Sequence, residues 1–283
     1  ISYNVITGAI DLGGHFSGLK GAYAYGASVH DNIIGFNSLL PVGAAGIYLE
    51  GDSEEIHIYR NYIKNVSTGI YINPVGSASD LTVLGRQYHI YEGVYIYYNI
   101  FDNIGENALG DSSKGWGVRL LGGDGYNHLI NNLQVLNNVM IGDTDATSTF
   151  SGLFIHAFGT VTNLLFRNNI IRNFDYAPSF MAHGTTTTLV VDTMSIENNI
   201  FYGNGNSNVP RYGAEFTPTN NTTQNNIIAD PLFRSTSDFH LQSTSPARDA
   251  GIDVSAITGG LDFHGASRYG AAYDIGAFEY GVG

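Results

Sequence analysis

Arg119, Lys114, His156 and His183 combine fixed positive charge with groups able to carry a proton, and Tyr71 lies on their preceding side. An Arg or Lys can neutralise a substrate carboxylate or steady developing negative charge, while Lys, His or Tyr can act as a general base. A different chemistry would need two carboxylates ~5–9.5 Å apart. Glu50 with Asp52 or Glu54 is the one outward cluster near the other candidates. Each group also has a plainer reading. The acids suit a solvated loop, and an isolated His in a sheet is more often a hydrogen-bonded surface residue than a base or ligand.

The elements that must position these side chains come from a repeat. The phrase apolar-x-apolar-x-x-Asn-x-apolar recurs around Asn32, Asn61, Asn99, Asn138, Asn169 and Asn199, more weakly around Asn226, and Asn4 fits an earlier copy. From Asn32 onward the marked residues are 29, 38, 39, 31, 30 and 27 positions apart. A coil of three short strands and three turns needs somewhat over 20 residues, at ~3.3 Å of rise per strand residue. The short spacings therefore suit one coil each, and the long ones carry insertions near 74–92 and 105–115, with 122–127 as a further loop. This predicts an all-β fold, a right-handed parallel β-helix over 1–228 with an irregular C-terminal cap over 229–283. Asn suits the turn between strands because it tolerates left-handed backbone angles and its amide can bond the Asn of the next coil, building a structural ladder.

A second phrase precedes the first: Gly21-Ala22-Tyr23-Ala24, Gly46-Ile47-Tyr48-Leu49, Gly69-Ile70-Tyr71-Ile72, Gly117-Val118-Arg119-Leu120 and Gly152-Leu153-Phe154-Ile155, with degenerate copies at Ser179 to Ala182 and Gly213 to Phe216. Strand alternation sends the second and fourth residues inward and the third outward. Stacking the coils then lines up Tyr23, Tyr48, Tyr71, Arg119, Phe154, Met181 and Glu215. Beside them runs Tyr25, Glu50, Asn73, Leu121, His156, His183 and Thr217. In this register His156 and His183 are one strand spacing apart, ~4.8 Å. Tyr23, Tyr48, Tyr71, Arg119 and Phe154 are the expected carbohydrate-binding residues, since ring faces meet the apolar faces of sugars and polar neighbours read hydroxyls. Packing between stacked rings, worth ~0.2–1 kcal/mol per pair, is the alternative.

Composition narrows the function classes. Hydrophobic residues are 43% and charged residues 13% of the chain, enough to build a core and too little charge for a disordered chain. A formal charge of −13 with no local Lys or Arg cluster disfavours nucleic acid and anionic lipid, and also an acidic polysaccharide unless a cation intervenes. No apolar run reaches the ~20 residues of a membrane span. Cysteine is absent, so neither disulfides nor thiolate metal sites arise. The start at Ile1, with no Met or signal peptide, reads as a mature or trimmed product.

From Asp230 the repeat gives way to Asp230-Pro231-Leu232-Phe233, Asp238-Phe239-His240-Leu241, Ser245-Pro246-Ala247-Arg248-Asp249-Ala250-Gly251, then Asp262, Gly265, Arg268 and Asp274-Ile275-Gly276-Ala277-Phe278-Glu279-Tyr280. This order resembles the C-terminal end of secreted bacterial right-handed β-helix proteins, many related to polysaccharide lyases and cell-surface proteins. The resemblance implies the fold and a secreted or cell-surface setting, and the family includes members without known activity. Asp249, Asp262, Arg268 and Asp274 are expected to hold irregular backbone over the open end of the solenoid. Lyases of this fold remove the proton beside a uronic carboxylate, using Arg or Ca²⁺ to neutralise it. Arg119, Lys114, His156 and His183 are the candidates for that role, although the family's calcium-and-lysine or lysine-and-arginine sets have no residue-by-residue match here. The expected partner is a polysaccharide or cell-surface glycan, bound and, in the lyase reading, cleaved, with Ca²⁺ as an open cofactor. A non-catalytic adhesive or structural rod, self-associating or built into a larger surface structure, is the rival.

Overall fold

The computed structural model describes residues 1–2, 4–7, 10–11, 24–36, 45–73, 89–105, 115–121, 128–143, 149–157, 159–182, 189–214, 216–268 and 272–281. They form a parallel β-helix of three sheets, with strand pairing parallel throughout. Sheet 1 holds Ala24–Tyr25 and Ser28–His30, then Ser53–Tyr59, His89–Tyr97, His128–Leu136, Gly159–Arg167, Leu189–Glu197 and Phe216–Gln224. Sheet 2 holds Val5–Thr7, Ile33–Gly35, Tyr62–Lys64, Ile100–Ile104, Val139–Gly142, Ile170–Arg172 and Ile200–Tyr202. Sheet 3 holds Ile10–Asp11, Ala45–Glu50, Thr68–Asn73, Gly115–Leu121, Thr149–Ala157, Ser179–Ala182 and Arg211–Tyr212. Residues 89–92 and 115, expected inside insertions, lie in strands; 74–88 and 106–114 lie outside the described residues.

Each coil turns on a five-residue rhythm of left-handed backbone. Positive φ recurs at Glu55, Arg60 and Asn65, at Gly93, Tyr98 and Asn103, at Asn163, Asn168 and Asn173, and at Thr193, Asn198 and Gly203. The first corner bends each strand of sheet 1 in the middle, the second opens the two-residue turn into sheet 2, and the third ends sheet 2. The ladder Asn sits one place after the left-handed residue, not on it. This corrects the expected reason for its presence: the ladder residue is selected for its side chain, and its predecessor for backbone tolerance.

Those side chains form one continuous chain of amides. The Nδ2 of Asn4, Asn32, Asn61, Asn99, Asn138, Asn169 and Asn199 each donates to the Oδ1 of the next, at 2.9–3.2 Å, ending on Asn226. The same Oδ1 accepts the previous ladder residue's backbone N–H, for example Asn99 N–H to Asn138 at 2.9 Å. Asn61, Asn99, Asn138, Asn169 and Asn199 are fully buried, where an unpaired amide would be costly, and the repeat supplies each with a partner.

The apolar positions converge on a single core. Ile47, Leu49, Ile70, Ile72, Val118, Leu120, Leu153, Ile155 and Phe180 point inward from sheet 3 and meet Ile34, Ile63, Phe101, Met140, Ile171 and Phe201 from sheet 2. The Gly opening each sheet 3 phrase is required by close approach, because a Cβ on Gly69 would lie 2.5 Å from the Gly117 carbonyl oxygen, and one on Gly117 would lie 2.5 Å from that of Gly152.

The tail after Ile227 leaves the sheets, and its described contacts run along the side of the solenoid, where the sequence suggested a cap over its end. Phe233, Phe239, Leu241, Ile275, Ala277 and Phe278 cover the outer face of sheet 2 at Ile100, Val139, Ile170 and Ile200. The left-handed turn residues grip it in succession. Asn198 Nδ2 donates to the Ala250 carbonyl at 2.8 Å, Asn168 Nδ2 to Ile252 at 2.8 Å, Asn137 Nδ2 to Gly276 at 3.1 Å, and the Tyr98 hydroxyl to Thr258 at 2.8 Å. Thr258 ends the short helix Ser255–Thr258. Arg268 ties the tail internally, donating to the carbonyls of Leu261, Asp274 and Gly276 and pairing with Glu279 at 3.1 Å. Asp274 accepts the N–H groups of Asp249 and Tyr280, and Asp262 those of His264 and Ala266. Arg268, Asp274 and Asp262 thus hold irregular backbone through charge-assisted bonds.

Candidate functional site

On the outer face of sheet 3, strand register places Asp11, Tyr48, Tyr71, Arg119, Phe154, Ser179 and Arg211 in one row. Tyr48, Tyr71, Arg119 and Phe154 stand in the expected order, but both ends differ. Tyr23 lies outside the described residues, and the Ala24–Tyr25 segment that follows it pairs in sheet 1, so Asp11 holds the place expected for Tyr23. At the other end, Ser179 is registered with Phe154 and Met181 with His156. The shift arises because Pro178 and Ser179 begin the strand without the opening Gly of the earlier copies. His183 lies outside the described residues, and the register gives His156 a Met neighbour where a second His was expected. Lys114 also lies outside them.

The central side chains touch one another. The Tyr48 and Tyr71 rings are 5.0 Å apart and tilted by 42°. The Arg119 guanidinium lies 4.8 Å from the Tyr71 ring centre and 4.0 Å from that of Trp116, a cation–π arrangement on two rings. Trp116 stacks toward Phe154 at 6.0 Å, and Phe150 meets Phe154 edge-on at 4.9 Å. Phe154 is only 6% exposed, which corrects its expected role as a ring open to ligand; it neighbours Arg119 in the row, and its ring centre lies 5.3 Å from that of His156. Asn73 Nδ2 donates to the Tyr48 hydroxyl at 2.8 Å, and Tyr48, Tyr71, Asn73, Arg119 and His156 are all partly exposed.

Chemically, Arg119 supplies a fixed cation and His156, one strand over and two residues along, a group able to exchange a proton. The expected carboxylates are divided between strands of two sheets. Glu50 is in sheet 3, Glu54 pairs with Glu92 in sheet 1, and Asp52 is buried between them, accepting the Ile90 N–H at 3.1 Å. Among the described residues no three or more His, Cys, Asp or Glu side chains are grouped to hold a metal ion, so no Ca²⁺ ligand set can be drawn from them. No described helix is long and apolar enough to cross a membrane.

Sheet 1 carries an aromatic ladder that the sequence reading missed. His30, Tyr59 and Tyr97 stack at 4.7 and 4.9 Å with interplanar angles of 6° and 1°, and His57 stacks on Tyr95 at 4.6 Å. The signal was present in the "x" positions of the Asn phrase, His57 and Tyr59 in one copy and Tyr95 and Tyr97 in another. Burial holds the His57 imidazole below its ordinary pKa and pushes the Tyr97 phenol up. Nearby, Asp31 is held below the usual carboxylate range: burial opposes this, but hydrogen bonds from Arg60 and His30 outweigh it. Because these rings stack face to face, their faces serve one another, and Tyr97 and Tyr59 also pack against Val254, Ile257 and Leu261 of the tail.

A third group lies where the tail crosses the side of sheet 2. A cleft of about 660 Å³ is lined by Asp31, Arg60, Tyr62, Asp238, His240 and His264, among others. Arg60 pairs with Asp31 at 2.7 Å. Comparison with known proteins adds no identity to this geometry: no protein-family model matches the chain, and no curated protein matches it.

Proposed function

We propose that this chain is an extracellular, carbohydrate-directed β-helix that binds a glycan across the outer face of sheet 3. The observation that supports it best is the row Tyr48–Tyr71–Arg119, with Asn73 and His156 alongside, presenting hydroxyl, amide, guanidinium and imidazole tips at strand spacing. Such tips suit sugar hydroxyls, and a periodic row suits a polymer with repeating units. Arg119, stacked on Tyr71 and Trp116, is pre-ordered for a bidentate contact to a carboxylate or vicinal hydroxyls. The secreted setting is the one that the tail resemblance implies.

Cleavage by a lyase-type step is the extension of this reading, with Arg119 neutralising a carboxylate and His156 accepting the proton. Lys114 and His183 would join them only if their segments close on the same face. A purely adhesive or structural rod is the rival. The amide ladder running coil to coil and the tail clamped along the side favour it, since both stiffen the long axis.

The test is a screen against neutral and acidic polysaccharides, with and without Ca²⁺, recording binding and the ultraviolet absorbance of unsaturated products. Binding without products supports a glycan-binding module, and products lost in Arg119→Ala and His156→Ala support a lyase. Absence of both refutes the carbohydrate reading and leaves the rod.

A further inference from the structure

The tail contains the same triplet twice, Asp238-Phe239-His240 and Asp262-Phe263-His264. The two copies are built alike. In each, the Asp Oδ1 accepts the backbone N–H of the His two places on, at 3.1 Å for His240 and 2.9 Å for His264. Both imidazoles pack on Phe278, with ring centres 4.0 Å away for His240 and 5.2 Å for His264. The outcome is that their Nε2 atoms face each other at 3.1 Å.

The geometry points to a binding site for a divalent transition-metal ion between His240 and His264. Two ring nitrogens 3.1 Å apart, each about 2.05 Å from a shared ion, subtend an angle of about 100° at it. That lies between the values for octahedral and tetrahedral neighbours. Asp238 supplies the usual outer partner of a metal-bound imidazole: its Oδ1 accepts from His240 Nδ1 at 2.5 Å, fixing the tautomer that leaves the Nε2 lone pair free to ligate. Imidazole donors select Zn²⁺, Cu²⁺, Ni²⁺ or Co²⁺ over Ca²⁺ or Mg²⁺. Two protein ligands leave the remaining positions to water or to an oxygen ligand entering the cleft beside Asp31, Arg60 and Tyr62.

Without an ion, two facing lone pairs would repel, so one Nε2 must carry a proton. With Asp238 fixing His240, the donor is His264 Nε2–H. An ion at Nε2 requires the other tautomer of His264, its proton moved to Nδ1, so the neutral pair can take the ion without net proton release. Because the ligands are 24 residues apart in the segment that covers sheet 2, the ion would also fasten the tail.

Titration of the purified chain with Zn²⁺ and Cu²⁺ by calorimetry, with thermal unfolding beside it, tests this. The expected result is a one-to-one site whose occupation raises the unfolding temperature of the chain. His264→Gln should lose that site, keeping only whatever background the other His residues provide. Asp238→Asn should weaken it about 10–100-fold. Absence of saturable binding in the wild type, or equal binding in His264→Gln and wild type, would overturn the proposal and leave a simple N–H to N hydrogen bond. Should His264→Gln misfold, Asp238→Asn still decides the matter, an affinity equal to wild type there overturning the proposal.

Discussion

Replacing Asn138 by Ala removes a residue from the middle of the amide ladder. Its Nδ2 donates to Ile96 O, Leu136 O and Asn169 Oδ1, and its Oδ1 accepts from Asn99 N–H and Nδ2, five bonds of 2.9–3.1 Å on a fully buried side chain. Four of the groups involved keep other partners, so each loss costs about 0.5–1 kcal/mol. The Asn99 N–H loses its only acceptor on that side and contributes about 1–3 kcal/mol more. A total of about 3–7 kcal/mol is expected, at the severe end for one substitution. Asn226→Ala removes three bonds at a half-buried end of the ladder, where water can enter, and should cost only about 1–2 kcal/mol. Asn138→Asp should be worse than Ala near neutral pH, because a carboxylate oxygen would face the two carbonyls that the amide now serves. Urea unfolding followed by circular dichroism gives the midpoints and slopes. Equal costs at Asn138 and Asn226, or an Asp variant as stable as wild type, would refute the ladder as a main source of coil-to-coil stability.

Other tests address the corners and the tail. Thr193 is β-branched and exposed with a φ of 60°, so Thr193→Gly should stabilise the chain by about 1 kcal/mol, read as a higher unfolding midpoint. Burial pushes the Glu279 carboxyl up to about 7 from an ordinary 4.5, so the folded state holds a proton there that the unfolded chain has released. Stability should therefore fall as pH rises through that window and level off above it, by at most about 3 kcal/mol, and Glu279→Gln should flatten the dependence. Phe278→Ala removes a ring 5% exposed beneath both tail His residues. It should cost about 3–5 kcal/mol in the tail and speed limited proteolysis after Ile227 while the coils stay protected.

Much of the fold was legible because a β-helix repeats its physics. Inward positions such as Ile70, Val118 and Leu153 follow from alternation alone, and ladder residues as far apart as Asn4 and Asn226 follow from the phrase. The left-handed position was harder to read, because Asp31, Arg60, Tyr98 and Asn137 share a backbone angle and no side-chain type. The row on sheet 3 was read correctly from Tyr48 to Phe154, where each strand opens on Gly, and slipped by two residues at Ser179, where the Gly is missing. Tyr25 was assigned to the face of sheet 3 because the Gly-Ala-Tyr phrase before it resembles a sheet 3 strand, but it pairs in sheet 1, whereas Ile10–Asp11, two residues long, carries almost no pattern. His240 and His264 come together only through the irregular path of the tail, which no periodicity describes.

The central claim is that the row on sheet 3 meets a ligand while the stacked ladder on sheet 1 serves stability. Paired variants in one binding and thermal-unfolding experiment, on a glycan that the wild type binds, test it directly. Tyr71→Ala should weaken binding about 10-fold or more with little change in unfolding temperature, and Tyr59→Ala should lower that temperature while binding persists. The reverse pattern, with Tyr59→Ala abolishing binding and Tyr71→Ala affecting stability alone, would contradict the account.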